Sequence, residues 1–166
     1  MYYEPFYSRF PDIALRETRT LTIFDMPGLP PGDYTFTEAY CNEPGCDCRR
    51  VFFNVIQIET NRVVATIAYG WESIEYYVKW LGMDDPAAIS SLTGPVLNPS
   101  SPQSELAYAL LLQTPLFLSD PEFVERLKRH YLMFKTAVNQ EAGLRIKPKK
   151  SKSPRATHRK SKARSK

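Results

Sequence analysis

Three cysteines fall within eight positions, Cys41-Asn42-Glu43-Pro44-Gly45-Cys46-Asp47-Cys48, and the chain has no others. Pro44-Gly45 suits the centre of a type II turn, because Pro presets φ at the second position and Gly accepts a positive φ at the third. Such a turn folds Cys41 back toward Cys46 and Cys48. Three thiolates converging on one point suit a soft divalent metal, with Zn2+ the default occupant. A structural zinc takes four ligands, so one more donor is needed. His130 is the candidate: it is the one histidine outside the basic C-terminal segment, and it falls on the apolar stripe of a helix. Three thiolates and a neutral imidazole on Zn2+ leave one net negative charge, which Arg49 and Arg50, just after the last cysteine, are placed to offset. Glu43, Asp47 or a water can complete the sphere in place of His130. Two plainer readings compete. The cysteines can cap a hairpin with no metal, or Cys41 and Cys46 can form a disulfide that leaves Cys48 free. The spacing Cys-x4-Cys-x-Cys also departs from the paired Cys-x-x-Cys of most zinc ribbons and knuckles.

Other chemistries find less support. The chain lacks His-Glu-x-x-His, Gly-x-Ser-x-Gly, the deaminase Pro-Cys-x-x-Cys pattern and any phosphate-cradling glycine loop. Pro30-Pro31-Gly32-Asp33 is turn chemistry. A small zinc hydrolase would need an open metal position with Glu43 or Asp47 as base. A protein-interaction adaptor would use aromatics such as Trp71, Tyr76 and Trp80.

Charge divides the chain. The net of +4 conceals 11 Lys+Arg and no acid in residues 145–166, against 11 basic and 18 acidic residues before them, a net of −7. The basic segment cannot bury enough apolar surface to fold alone, so a disordered tail is expected over 144–166. Its cations Lys147, Lys149, Lys150, Lys152, Arg155, Arg159, Lys160, Lys162, Arg164 and Lys166 suit the phosphates of a nucleic acid, bound without sequence preference because no aromatic is interleaved.

The remaining 1–143 read as one globular domain that must position the cysteines. Glu17 to Phe24 alternates as a first strand, and Met26 to Asp33 is a loop rich in Pro and Gly. Tyr34 to Tyr40 sets Tyr34, Phe36, Glu38 and Tyr40 on one face. Arg49 to Glu59 is mostly apolar on both faces, interrupted by Asn54 and Gln57, and is expected to be covered on both sides or to lie centrally. Arg62 to Tyr69 completes an antiparallel meander with the cysteines at the bend between its first two strands. Residues 1–16 lack a period and are expected to be an irregular arm whose aromatics pack on the body. Beyond Gly70 the period becomes helical: Ser73 to Leu81 stopped at Gly82, then helices opened by Asp85-Pro86, Ser101-Pro102 and Asp120-Pro121. The second of these is expected over Gln103 to Gln113, and the last, roughly Pro121 to Asn139, carries Phe123, Leu127, His130, Tyr131, Phe134 and Val138 on one stripe.

The expected fold is α+β: a meander of about four antiparallel strands, then a helical C-terminal half packed on it. The first residues lack the basic and apolar regions of a secretory signal, no stretch is long and apolar enough to span a bilayer, and the odd cysteine count favours reduced thiols, so a cytoplasmic setting is expected. The expected function is a non-enzymatic, zinc-stabilised domain whose tail binds nucleic acid.

Overall fold

The computed structural model describes residues 2–144. The tail cations and the expectation of tail disorder lie outside them. Six strands form one antiparallel sheet. Its centre is the meander: β3 (Gly32–Cys41), β4 (Arg50–Gln57) and β5 (Arg62–Gly70). Tyr34 pairs with Gln57 and Ala39 with Phe52, so β3 and β4 run side by side from the loop end up to the cysteine turn.

The far edge of β3 is covered by two short strands placed end to end. β1 (Tyr3–Pro5) pairs with Cys41 to Ala39, and β2 (Arg19–Ile23) pairs with Phe36 to Gly32. Between them lie a 3-10 turn (Phe6–Ser8) and α1 (Pro11–Glu17). The N-terminal segment is therefore ordered, and the expected irregular arm is corrected. Its aromatics lack a period because they serve different elements: Tyr3 sits on Phe52 at a ring distance of 3.7 Å, and Phe6 packs edge-on to Tyr40.

The helices do not simply follow the sheet. α1 precedes β2, and β6 (Val96–Leu97) pairs with β5 after α2 (Ile74–Leu81) and α3 (Pro86–Thr93). Local chemistry sets these two helices. Ser73 caps α2 through Tyr76 N–H, Gly82 ends it in the left-handed region at φ 74°, and Asp85 accepts from Ala87 and Ala88 N–H ahead of Pro86.

The helix expected from Gln103 is shorter: α4 spans Ala107–Leu111. Ser101-Pro102 caps nothing, because the preceding residues follow the edge of β5 instead. Asn98 N–H donates to Thr66 O, Ser104 N–H donates to Val64 O, and the Gln103 amide bonds both the N–H and the C=O of Thr66. That side chain occupies the place of a strand on β5. Pro115 then takes the first position of α5 (Pro115–Leu118). The long helix stands as expected and runs further: α6 (Pro121–Glu141), with Asp120 accepting from Glu122 N–H.

One face of the sheet carries the main core. Tyr34, Phe36 and Tyr40 of β3 and Val51, Phe53 and Val55 of β4 are fully buried against Leu127, Tyr131, Phe134 and Val138 of α6. Phe36, Phe53, Phe117 and Phe123 meet mostly edge to face at 5.0 to 6.5 Å. The opposite face is covered only near the cysteine end, where Ala39, Phe52 and Ala68 lie under Tyr3 and Val96. Thus β4 is covered on both sides at Phe52, but Ile56 on the same face remains half-buried.

Candidate metal centre

Cys41 is the last residue of β3, and Cys48 stands two residues before β4. Between them the chain makes the turn its residues demand: Cys46 N–H donates to Glu43 O at 3.2 Å, and Gly45 has φ 74°. The result is a group of three donors whose sulfurs all lie within 4.8 Å of one another. Thiolates on a tetrahedral zinc at about 2.3 Å stand about 3.8 Å apart, so a small contraction seats the ion. Cys41 and Cys48 are fully buried, Cys46 is half-buried, and all three are free thiols, so the Cys41–Cys46 disulfide is not formed.

The bend is tethered by α6. Tyr131, Lys135 and Asn139 lie four residues apart, on one line along the helix. The Tyr131 hydroxyl accepts from Arg49 N–H and donates to Asp47 Oδ1, each at 3.3 Å. Lys135 Nζ donates to Cys41 O at 3.2 Å and to Glu43 O at 2.7 Å. Asn139 Oδ1 accepts from Gly45 N–H at 2.8 Å. A hairpin end that would otherwise fray is thus held in place by the core helix.

The thiols do not titrate alike. Cys41 is pulled down to about 6: the Cys48 thiol donates to its sulfur, burial opposes this, and the Glu43 N–H and the Lys135 ammonium add to the stabilisation. Cys48 is pushed well above the usual thiol range by that same donation and by burial, and burial followed by the Cys41 charge raises Cys46. The three share their protons, so one ionises early and the other two late. A metal that displaces the remaining protons converts the group to three thiolates.

His130 does not join the cysteines. It is 1% exposed, but both ring nitrogens face carboxylates: Nδ1 lies 2.8 Å from Glu38 Oε2 and Nε2 lies 3.1 Å from Glu17 Oε2. Its ring stacks on Phe6 at 4.4 Å, and the Tyr40 hydroxyl donates to the same Glu38 oxygen. The helix stripe brought His130 inward as expected, but toward the strand position of Glu38 rather than the hairpin end. Among the described residues the donor group holds three cysteines and no fourth ligand.

The other candidates are also placed. Asp47 faces Arg49, which bonds it through Nε at 3.0 Å and Nη2 at 2.9 Å. Burial works against ionisation there, but those bonds prevail and hold the carboxyl below its ordinary value. Glu43 is exposed. Arg49 also pairs with Glu72 at 3.0 Å and lies over Tyr76, while the Arg50 guanidinium donates to Ser91 O. Neither guanidinium is committed to the sulfurs. A cavity of about 220 Å³ lined by Asp47, Arg49, Trp71, Glu72, Lys128, Tyr131 and Leu132 flanks the bend. Trp71, Tyr76 and Trp80 are half-buried packing residues, with Trp71 edge-on to Tyr131 at 5.3 Å.

Lys135, Asn139 and Glu38 were not singled out from the sequence. A signal existed for two of them. Glu38 shares a strand face with Tyr34, Phe36 and Tyr40, and Lys135 lies between Phe134 and Val138, so each is a charge set among buried positions.

Fold and site together define an α+β domain with a three-cysteine group able to hold a metal ion. Comparison with known proteins finds no matching family model, no matching curated protein and no matching solved structure. No helix among the described residues is long and apolar enough to cross a membrane.

Proposed function

We propose that this chain is a non-enzymatic domain stabilised by Zn2+ at Cys41, Cys46 and Cys48, with a C-terminal tail that binds nucleic-acid phosphates. The observation that carries the metal reading is the convergence of three sulfurs, two of them buried, on a hairpin end tethered by α6. A water or an external donor takes the fourth position. The non-enzymatic reading rests on Asp47, the acid beside Cys46 and Cys48, being bound by Arg49 and Tyr131 rather than poised as a base. A reducing, cytoplasmic setting fits thiols kept ready for metal. The tail reading rests on charge: its cations are one sign throughout and the preceding residues are net acidic.

The metal test is elemental analysis of reduced protein together with cobalt substitution. One zinc per chain and an intense sulfur-to-cobalt absorption are expected. A metal-free protein whose cobalt spectrum lacks that band ends the reading. For the tail, affinity for generic DNA or RNA is expected to fall steeply with salt and to vanish in a chain cut after residue 144. Undiminished binding by the shortened chain refutes it.

A protein partner is the second reading. Tyr108 on α4, Leu112 just beyond its end and Leu116 on α5 are 65, 58 and 70% exposed. A partner on this face would be lost on changing Leu112 and Leu116 to Ser, with DNA binding unchanged.

A further inference from the structure

Lys135 is 5% exposed on the inner side of α6. Lysine is almost never buried unless its charge is balanced. Its hydrogen bonds go to two carbonyl oxygens, those of Cys41 and Glu43, and among the described residues no carboxylate pairs with it. Carbonyls orient an ammonium but do not neutralise it. The groups close enough to feel its charge are the Cys41 and Cys46 sulfurs.

Three thiolates around a divalent ion carry one net negative charge. Left alone in the interior, that charge is costly. The arginines that follow Cys48 are engaged elsewhere: Arg49 pairs with Asp47 and Glu72, and the Arg50 guanidinium lies over the Phe52 ring and donates to Ser91 O. It is the Lys135 charge that bears on Cys41 and Cys46. One ammonium brings the total to zero.

We infer that Lys135 is the charge-balancing residue of the cysteine metal centre, matching it to a divalent ion held by three thiolates. This rests on the reading of Cys41, Cys46 and Cys48 as metal ligands. The role is distinct from tethering the bend, which Tyr131 and Asn139 share. Outer partners of this kind typically change metal affinity by about 10- to 100-fold.

The experiment compares wild type with Lys135→Arg, Lys135→Gln and Lys135→Met. Zinc affinity is measured by chelator competition at neutral pH, with circular dichroism to confirm the fold. Lys135→Gln retains a donor for the two carbonyls but not the charge. Lys135→Arg retains both. About 10- to 100-fold weaker zinc binding is expected in the Gln and Met variants, with Arg close to wild type. If Gln binds zinc as tightly as wild type, the lysine acts as a tether alone and the inference falls while the metal reading stands. If wild type itself binds no zinc, the metal reading falls and this inference with it. A variant that fails to fold is replaced by Asn139→Ala/Lys135→Arg, which weakens the tether and keeps the charge. Wild-type zinc affinity in that variant supports the charge role, and a loss as large as 10-fold overturns it.

Discussion

Replacing His130 by Ala separates a structural histidine from a metal ligand. In the fold its two nitrogens lie against Glu38 at 2.8 Å and Glu17 at 3.1 Å, and Glu38 is only 6% exposed. Truncation leaves the Glu38 carboxylate in the interior with the Tyr40 hydroxyl as its remaining donor, at 2.7 Å. It also removes a ring stacked on Phe6. Removing a hydrogen-bond partner of a buried carboxylate, and a packed ring with it, costs about 3–5 kcal/mol. Against a total of about 5–15 kcal/mol, that is a large fraction. The melting temperature is expected to fall by roughly 10–20 °C for a domain of this size. Adding Glu38→Gln to His130→Ala should restore at least about 1 kcal/mol, because no charge is then stranded. Urea unfolding followed by tryptophan fluorescence measures the stability of the singles and the double. Zinc content per chain, measured on the same samples, is expected to stay at the wild-type level. A His130→Ala protein that loses its zinc while unfolding within about 1 kcal/mol of wild type would refute the reasoning and return the histidine to the metal.

The remaining expectations concern the cysteines and the sheet. Cys48→Ser should abolish zinc-dependent stabilisation, which in wild type amounts to about 2.7 kcal/mol at free zinc one hundred times Kd; calorimetry with and without zinc reads the difference. In the metal-free protein the cysteine group should lose its first proton at about 6, with the other two thiols ionising above the ordinary range, so thiolate absorbance should rise early by one third and then late. Three thiols titrating together near about 8.5 would contradict the shared-proton geometry. Gly70→Ala should destabilise by about 1–3 kcal/mol, because a Cβ there collides with the Leu92 carbonyl and the Tyr77 hydroxyl. Gln103→Ala should cost about 1–3 kcal/mol by leaving the N–H of buried Thr66 unpartnered, while its carbonyl keeps the Asn98 N–H, and hydrogen exchange at the Thr66 amide should accelerate.

What local chemistry governs was legible in the residues. The meander follows from alternation, and the cysteine bend follows from Pro44-Gly45. The ends of α2, α3 and α6 follow from Ser73, Gly82, Asp85 and Asp120 with their neighbouring prolines. Each depends on contacts within about one turn of chain, so residue order suffices. The same logic failed at Ser101-Pro102. That pair has the form of a helix start, but the nearby backbone was taken by β5, more than thirty residues away in sequence.

The amino-acid order by itself determined that three thiols would meet at one bend, that an inward-facing histidine would lie on the last helix, and that positive charge would be segregated after residue 144. Only the tertiary structure decided what those groups meet. His130 and Glu38 are 92 positions apart, and Lys135 reaches Glu43 across the same separation. A helical stripe determines that a side chain points inward, but its partner depends on how α6 crosses β3 and β4. That crossing is settled by the packing of Phe36, Phe53, Phe117, Phe123 and Phe134, a long-range fit that no local period encodes.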